Sequence, residues 1–175
     1  MNAPNAINSM SEAFNRLRWS VFEDISTILV APTSEDSGAA WLPFLNHPIA
    51  AEPASEIPLR EIGLTCEVLG DYDGLDDNDE WYEAPDAWIV QREDGGIVTV
   101  GDVVEQLPRH LFAHKKEILE FIAPMLNITP GDLPEDTRIF FDGFTHAISP
   151  RDNDVGVSLW AEGQDGMSVD EKFEF

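Results

Sequence analysis

Apolar residues recur at Phe14, Leu17, Val21, Ile25, Ile28 and Leu29 within SMSEAFNRLRWSVFEDISTILVAP, a spacing that predicts an amphipathic helix. Ser9 and Glu12 stand at the separation of a capping box, and Pro32 ends the pattern. Such a stripe belongs on its own domain; the alternative use is as a partner-binding helix. The period then vanishes through APTSEDSGAAWLPFLNHPIAAEPASEIP, which predicts a long surface loop pinned by Trp41, Leu42, Phe44 and Leu45. IPLREIGLTCEVL predicts a strand whose imperfect alternation suggests a bulge near Gly63. Two short β-prone runs flank Asp94-Gly95 in AWIVQREDGGIVTV, a hairpin signal because a tight primed turn needs residues that tolerate positive φ.

A second helical period runs through Val103, Val104, Leu107, Leu111, Ile118, Leu119 and Ile122. Thr99 and Asp102 can cap it, and Pro108, lacking an amide proton, predicts a kink or a break into two helices. TRIFFDGF, THAIS and VGVSLWAEG follow as a β-meander. The order predicts a flexible start over residues 1–10 and a single α+β domain over 11–175, mainly antiparallel, with helices packed on one face.

Hydrophobic residues make up 43% of the 175, with ten Phe and five Trp, enough apolar material for a core of its own. The charge is lopsided: 34 acidic residues against 10 basic give a formal net charge of −24. Phosphate backbones and anionic lipids need Lys or Arg to displace their counterions, so this balance weighs against direct nucleic-acid and membrane binding. It suits solubility, divalent cations and basic partners. A lone Cys66 cannot form an internal disulfide or a thiolate metal cage, and the N-terminal residues lack a secretory pattern. The setting expected is intracellular, cytoplasmic or nuclear.

The acidity peaks in DYDGLDDNDEWYEAPD, residues 71–86, which carries eight carboxylates and no Lys, Arg or His. An EF-hand loop needs Gly at its sixth position and a bidentate Glu at its twelfth. Counted from Asp71, Gly74 falls two places early and the twelfth residue is Tyr82; counted from Asp77, the fifth is Trp81. The pattern fails, leaving at most a loose Ca²⁺ site from Asp71, Asp73, Asp77 and Asp79. A second reading is DNA mimicry, in which carboxylates spaced along an extended segment stand in for phosphates. A third is a solvated loop that faces a partner. Dense charge beside Tyr72, Trp81 and Tyr82 favours the last, since acids steer a basic surface and aromatics supply buried anchors.

Other chemistry is sparse. His110 and His114 lie four apart with Glu117 a turn further on, a spacing that suits Zn²⁺, but Arg109, Lys115 and Lys116 surround them with positive charge. Cys66 stands in a strand beside Glu67, which raises a thiol pKa, so it reads as structural. His146 is an isolated candidate base. No P-loop or nucleophile elbow occurs, and no cofactor or metal site is expected.

PLREIGLTCEVL, the acidic insert, IVTVGDVVEQL, RIFFDGF and VSLWAEGQDGMSVDEKF together resemble uncharacterised proteins of filamentous fungi, over residues 57–175. The resemblance implies a eukaryotic intracellular setting and transfers no catalytic residue. Two function classes lead, with DNA mimicry kept as a further alternative. One is a non-catalytic acidic interaction module that meets a basic protein surface through Asp71, Tyr72, Asp73, Asp76, Asp77, Asp79, Glu80, Trp81, Tyr82 and Glu83. The other is a small enzyme or ligand-binding protein with an apolar pocket walled by Phe140, Phe144, His146 and Trp160.

Overall fold

Leu17, Trp19 and Val21 are all buried, and with Arg18 and Ser20 between them they alternate apolar and polar residues inside the stretch whose spacing predicts a helix. The computed structural model, which describes residues 7–33, 38–70 and 83–174, resolves the conflict in favour of extended chain. A 3-10 turn at Glu12–Arg16 leads into strand β1 (Leu17–Arg18), and a second turn at Ile25–Thr27 leads into β2 (Leu29–Val30). With β3 (Leu42–Pro43) these make a small antiparallel sheet in the order β1-β2-β3. Burial does not follow the helical stripe alone: Phe14, Leu17, Val21 and Ile28 on it are covered, but so are Trp19 and Val30 off it, whereas Ile25 and Leu29 are only partly so. β-branched and aromatic residues throughout the segment fit an extended backbone as well as a helix, and tertiary pairing decides between them. The expected Ser9–Glu12 cap is likewise replaced by Ser11, whose Oγ accepts from the Ala13 N–H at 3.2 Å.

Of residues 1–10, expected to be flexible, 1–6 lie outside the described residues, and the described ones are held in place from Asn8 on. Asn8 brackets Ile57, donating to its carbonyl and accepting from its N–H, both at 2.9 Å, and Met10 is buried. The long loop is anchored by Phe44, Ile49 and Ala54, while Leu42 and Leu45 stay exposed.

The main sheet comprises β4 (Glu61–Cys66), β5 (Trp88–Gln91), β6 (Ile139–Phe144) and β7 (Asp154–Ala161) in the order β5-β4-β7-β6. β4 is antiparallel to β5 and parallel to β7, and β6 is antiparallel to β7. Residues 145–149, expected as a strand, instead belong to the connection between β6 and β7. Between the strands lie α1 (Glu67–Gly70), α2 (Val100–Ala113) and α3 (Lys115–Ile122), and the chain closes with the single turn α4 (Val169–Lys172). The result is one α+β domain, mostly antiparallel. Its core joins Ile62 and Leu64 of β4 and Val155 and Val157 of β7 to Val103, Leu107 and Leu111 of α2 and Ile118 and Ile122 of α3.

Three local expectations shift. The bulge lies between Phe141 and Gly143, where Gly143 takes φ of 130°, and not at Gly63. Gly63 serves close approach instead: a Cβ there would sit 1.8 Å from Asp154 Oδ1. The Asp94-Gly95 turn forms, with Gly95 at φ 69°, but its second arm does not return along β5. Val98 instead donates to the Leu59 carbonyl at 2.8 Å and accepts from Ala54 N–H at 2.9 Å, and Thr99 starts α2. There the predicted cap forms, Thr99 N–H donating to Asp102 Oδ2 at 2.8 Å and Asp102 N–H to Thr99 Oγ1 at 3.3 Å. α2 runs through Pro108, and the break comes at His114, with φ −115° and ψ 17°.

Candidate functional site

β5 enters the domain from the acidic segment. Of that segment, residues 71–82 lie outside the described residues, and with them Asp71, Tyr72, Asp73, Asp76, Asp77, Asp79, Glu80, Trp81 and Tyr82. Glu83 and Asp86 are described and are exposed. Two residues later the strand alternates: Val90 is fully buried, Trp88 on the same side is 38% exposed, and Ile89, directed to the opposite side, is 42% exposed.

An open groove of about 950 Å³ runs between β5 and α2. Asp102, Glu105, Gln106 and Arg109 line its helical wall, at spacings that put them on one stripe of α2. Glu93 and Asp94 close one end. Arg92 is already engaged: Nε and Nη2 donate to the two carboxylate oxygens of Asp94, each at 2.9 Å, and Nη1 lies 3.6 Å from Asp102 Oδ2. That fork, with a further bond from Gly96 N–H, holds the Asp94 carboxyl well below the usual carboxylate range. Gln106 Nε2 donates to the Gln91 carbonyl at 2.9 Å, tying helix to strand.

Trp88 stacks on His110, ring centres 5.3 Å apart and planes 20° apart, and His110 meets His114 edge-on at 5.4 Å. Burial first, and then the charge of His114, holds the His110 imidazole below the usual histidine range. The spacing that suggested a Zn²⁺ pair is thus occupied by an aromatic stack, and among the described residues no three His, Cys, Asp or Glu side chains converge as metal ligands. A second groove, about 540 Å³, lies beyond the end of α2, where Lys115 Nζ sits 5.2 Å from the ring centre of Phe22 and 6.0 Å from that of exposed Phe112.

The four residues considered as walls of an apolar pocket do not meet. Phe140 and Trp160 pack on one face of the sheet, centres 6.0 Å apart, and are sealed by Phe173 and Val169. Phe144 lies on the other face, 5.0 Å from both Phe14 and Phe141. The cause is the bulge: strict alternation would put Phe140 and Phe144 together, and the extra residue between Phe141 and Gly143 reverses the parity. His146 is exposed, its Nδ1 2.7 Å from Thr145 Oγ1. Cys66 is buried, and burial, with a smaller contribution from the charge of Glu67, pushes its thiol up to about 11.

No protein-family model, no curated protein and no solved structure matches the chain. Its chemistry is therefore read from the groove. The guanidinium of Arg92 and the carboxylates of Asp94 and Asp102 are committed to one another, so they hold the turn against α2. What remains available is the carboxylates of Glu93 and Glu105, the guanidinium of Arg109, two apolar side chains on β5 and the backbone of that strand. Sequence spacing had no means of finding this groove, because Arg92, Asp102 and Gln106 come together only after β5 and α2 pack. The one local sign is the pair Trp88-Ile89, large consecutive apolar residues beside Asp86. Among the described residues no helix is long and apolar enough to cross a membrane.

Proposed function

We propose that this protein is a non-catalytic acidic interaction module that presents residues 71–86 to a basic protein surface, with Asp71, Asp73, Asp76, Asp77, Asp79, Glu80 and Glu83 steering the encounter and Tyr72, Trp81 and Tyr82 anchoring it. The observation that supports this reading is the described end of the segment: exposed Glu83 and Asp86 lead directly into exposed Trp88 and Ile89. Charge and unburied apolar surface thus continue in one strip, the combination that gives fast association through the rim and affinity through the anchors. A net charge of −24 selects a cationic partner and repels nucleic acid. The lone cysteine, free and buried, suits a reducing compartment, and the module works in the cytoplasm or nucleus.

The test is affinity capture from a cell extract with the wild type and with a variant carrying Asp76→Asn, Asp77→Asn, Asp79→Asn and Glu80→Gln. Basic proteins retained by the wild type, released by salt and lost from the variant support the reading. Equal recovery of the same proteins by both overturns it.

A further inference from the structure

We infer that the outer edge of β5 is a strand-addition site, at which a basic extended peptide pairs with the backbone of Trp88–Gln91 and lies in the groove against α2. The inference rests on the proposed function for the charge of its partner, and it adds a defined place and a defined mode of binding.

The two edges of the main sheet differ. At β6 the edge is occupied by the chain itself: Val21 N–H donates to the Ile139 carbonyl at 2.8 Å, Phe141 N–H to the Trp19 carbonyl at 2.9 Å, and Ser20 bridges Phe140. At β5, among the described residues, no backbone group pairs with the side turned away from β4, and the single contact is Gln106 Nε2 on the Gln91 carbonyl. An unpaired edge is a template for another strand, and folded proteins usually blunt it with a covering segment, proline or charge within the strand. The strand WIVQ carries no charge and no proline, and it keeps Trp88 and Ile89 exposed. Alternate residues of an added strand would pair with the outward backbone groups of Ile89 and Gln91, and its side chains would meet the indole of Trp88 on one side or the side chain of Ile89 on the other.

The groove also states the charge of the occupant. Its lining holds four carboxylates against two guanidiniums, and Arg92 is neutralised by Asp94 and Asp102. Glu93 and Glu105 remain for a cation on the peptide, against the single guanidinium of Arg109, so the balance of the lining stays acidic. A second copy of this chain is a poor occupant, because two edges of the same acidic composition would meet on molecules of net charge −24. The occupied length, four to five residues at about 3.3 Å each, spans roughly 15 Å and suits a peptide of about seven residues.

The probe is a heptapeptide of alternating Lys and Val, labelled at one end, titrated against the whole protein at about 150 mM NaCl, a concentration that screens long-range attraction. Strand addition makes its alternate amides inequivalent. N-methylation of the set that faces β5 is expected to weaken binding about tenfold or more, and methylation of the set that faces solvent to leave it within about twofold. In hydrogen exchange the unmethylated peptide slows the outward amides of Ile89 and Gln91. Equal affinity of both methylated series, protection of those amides in the free protein that the peptide does not change, or no binding up to about 1 mM overturns the inference. The proposed function fails separately: if the peptide binds without regard to methylation and is lost from the Asp76, Asp77, Asp79, Glu80 variant, the acidic module stands and the strand-addition site falls.

Discussion

Replacing Phe14 by alanine tests whether the N-terminal arm packs against β6. Phe14 sits on the 3-10 turn before β1, is 1% exposed, and faces the rings of Phe144 at 5.0 Å and Phe141 at 6.0 Å. Its loss removes the buried ring and leaves a cavity bounded by β6, which cannot collapse because β6 is held by β7 on one side and by Trp19–Val21 on the other. Phe→Ala changes in such settings cost about 3–5 kcal/mol. For a chain of this length that lowers Tm by about 6–20 °C. Urea unfolding followed by tryptophan fluorescence measures the change, with an unaltered m-value certifying that the denatured state is the same. Combining Phe14→Ala with Phe144→Ala should show a coupling of about 0.5–1.5 kcal/mol, since the two rings meet edge to face. Phe112→Ala, at a ring 64% exposed, should fall within about 0.5 kcal/mol of wild type. A Phe14→Ala cost below about 1 kcal/mol would refute the packing of the N-terminal arm against β6.

Cys66 should resist thiol reagents in the native state: a pKa raised from 9.0 to about 11 cuts the thiolate roughly a hundredfold at pH 8, so native labelling as fast as in denaturant would contradict the buried setting. His110 has its folded pKa lowered from 6.5, so the unfolded chain binds the extra proton first; its stabilising contribution is complete above pH 6.5 and is lost as pH falls through the lowered value. Tm and Trp88 fluorescence should fall together over that interval, and His110→Gln should remove the component that tracks the stack; an unchanged profile in the variant would dissociate the two. Raising NaCl from about 10 to about 150 mM should increase Tm by screening carboxylate repulsion. Ca²⁺ below about 1 mM, added at constant ionic strength, should shift Tm by less than about 2 °C, whereas a saturable rise abolished by Asp77→Asn and Asp79→Asn would reveal a Ca²⁺ site at the acidic segment.

Local chemistry was legible in the sequence wherever a few adjacent residues suffice. Thr99 and Asp102 cap α2 because a capping box needs only their own backbone and three residues of spacing. Gly95 turns the chain after β5 because positive φ is a property of the residue. The α+β class followed from the strong periods around α2, α3 and β7, where the apolar face leaves one option. The segment 14–30 was not legible, since Phe14, Leu17, Val21 and Ile28 satisfy a helical period while Leu17, Trp19 and Val21 satisfy a strand period. What chose between them was the unpaired edge of β6, more than a hundred residues away, which bonds to Trp19 and Val21. Pro108 shows the same limit from the other side: its local cost is met inside α2, where Val104, Leu107 and Leu111 on the buried face hold the helix together. The groove belongs wholly to tertiary structure. Sequence determined that this chain would be acidic, with Trp88 and Ile89 beside its densest charge; only the packing of α2 against the free edge of β5 decided that those two side chains would stay uncovered, because burial is a property of neighbours that spacing along one strand does not specify.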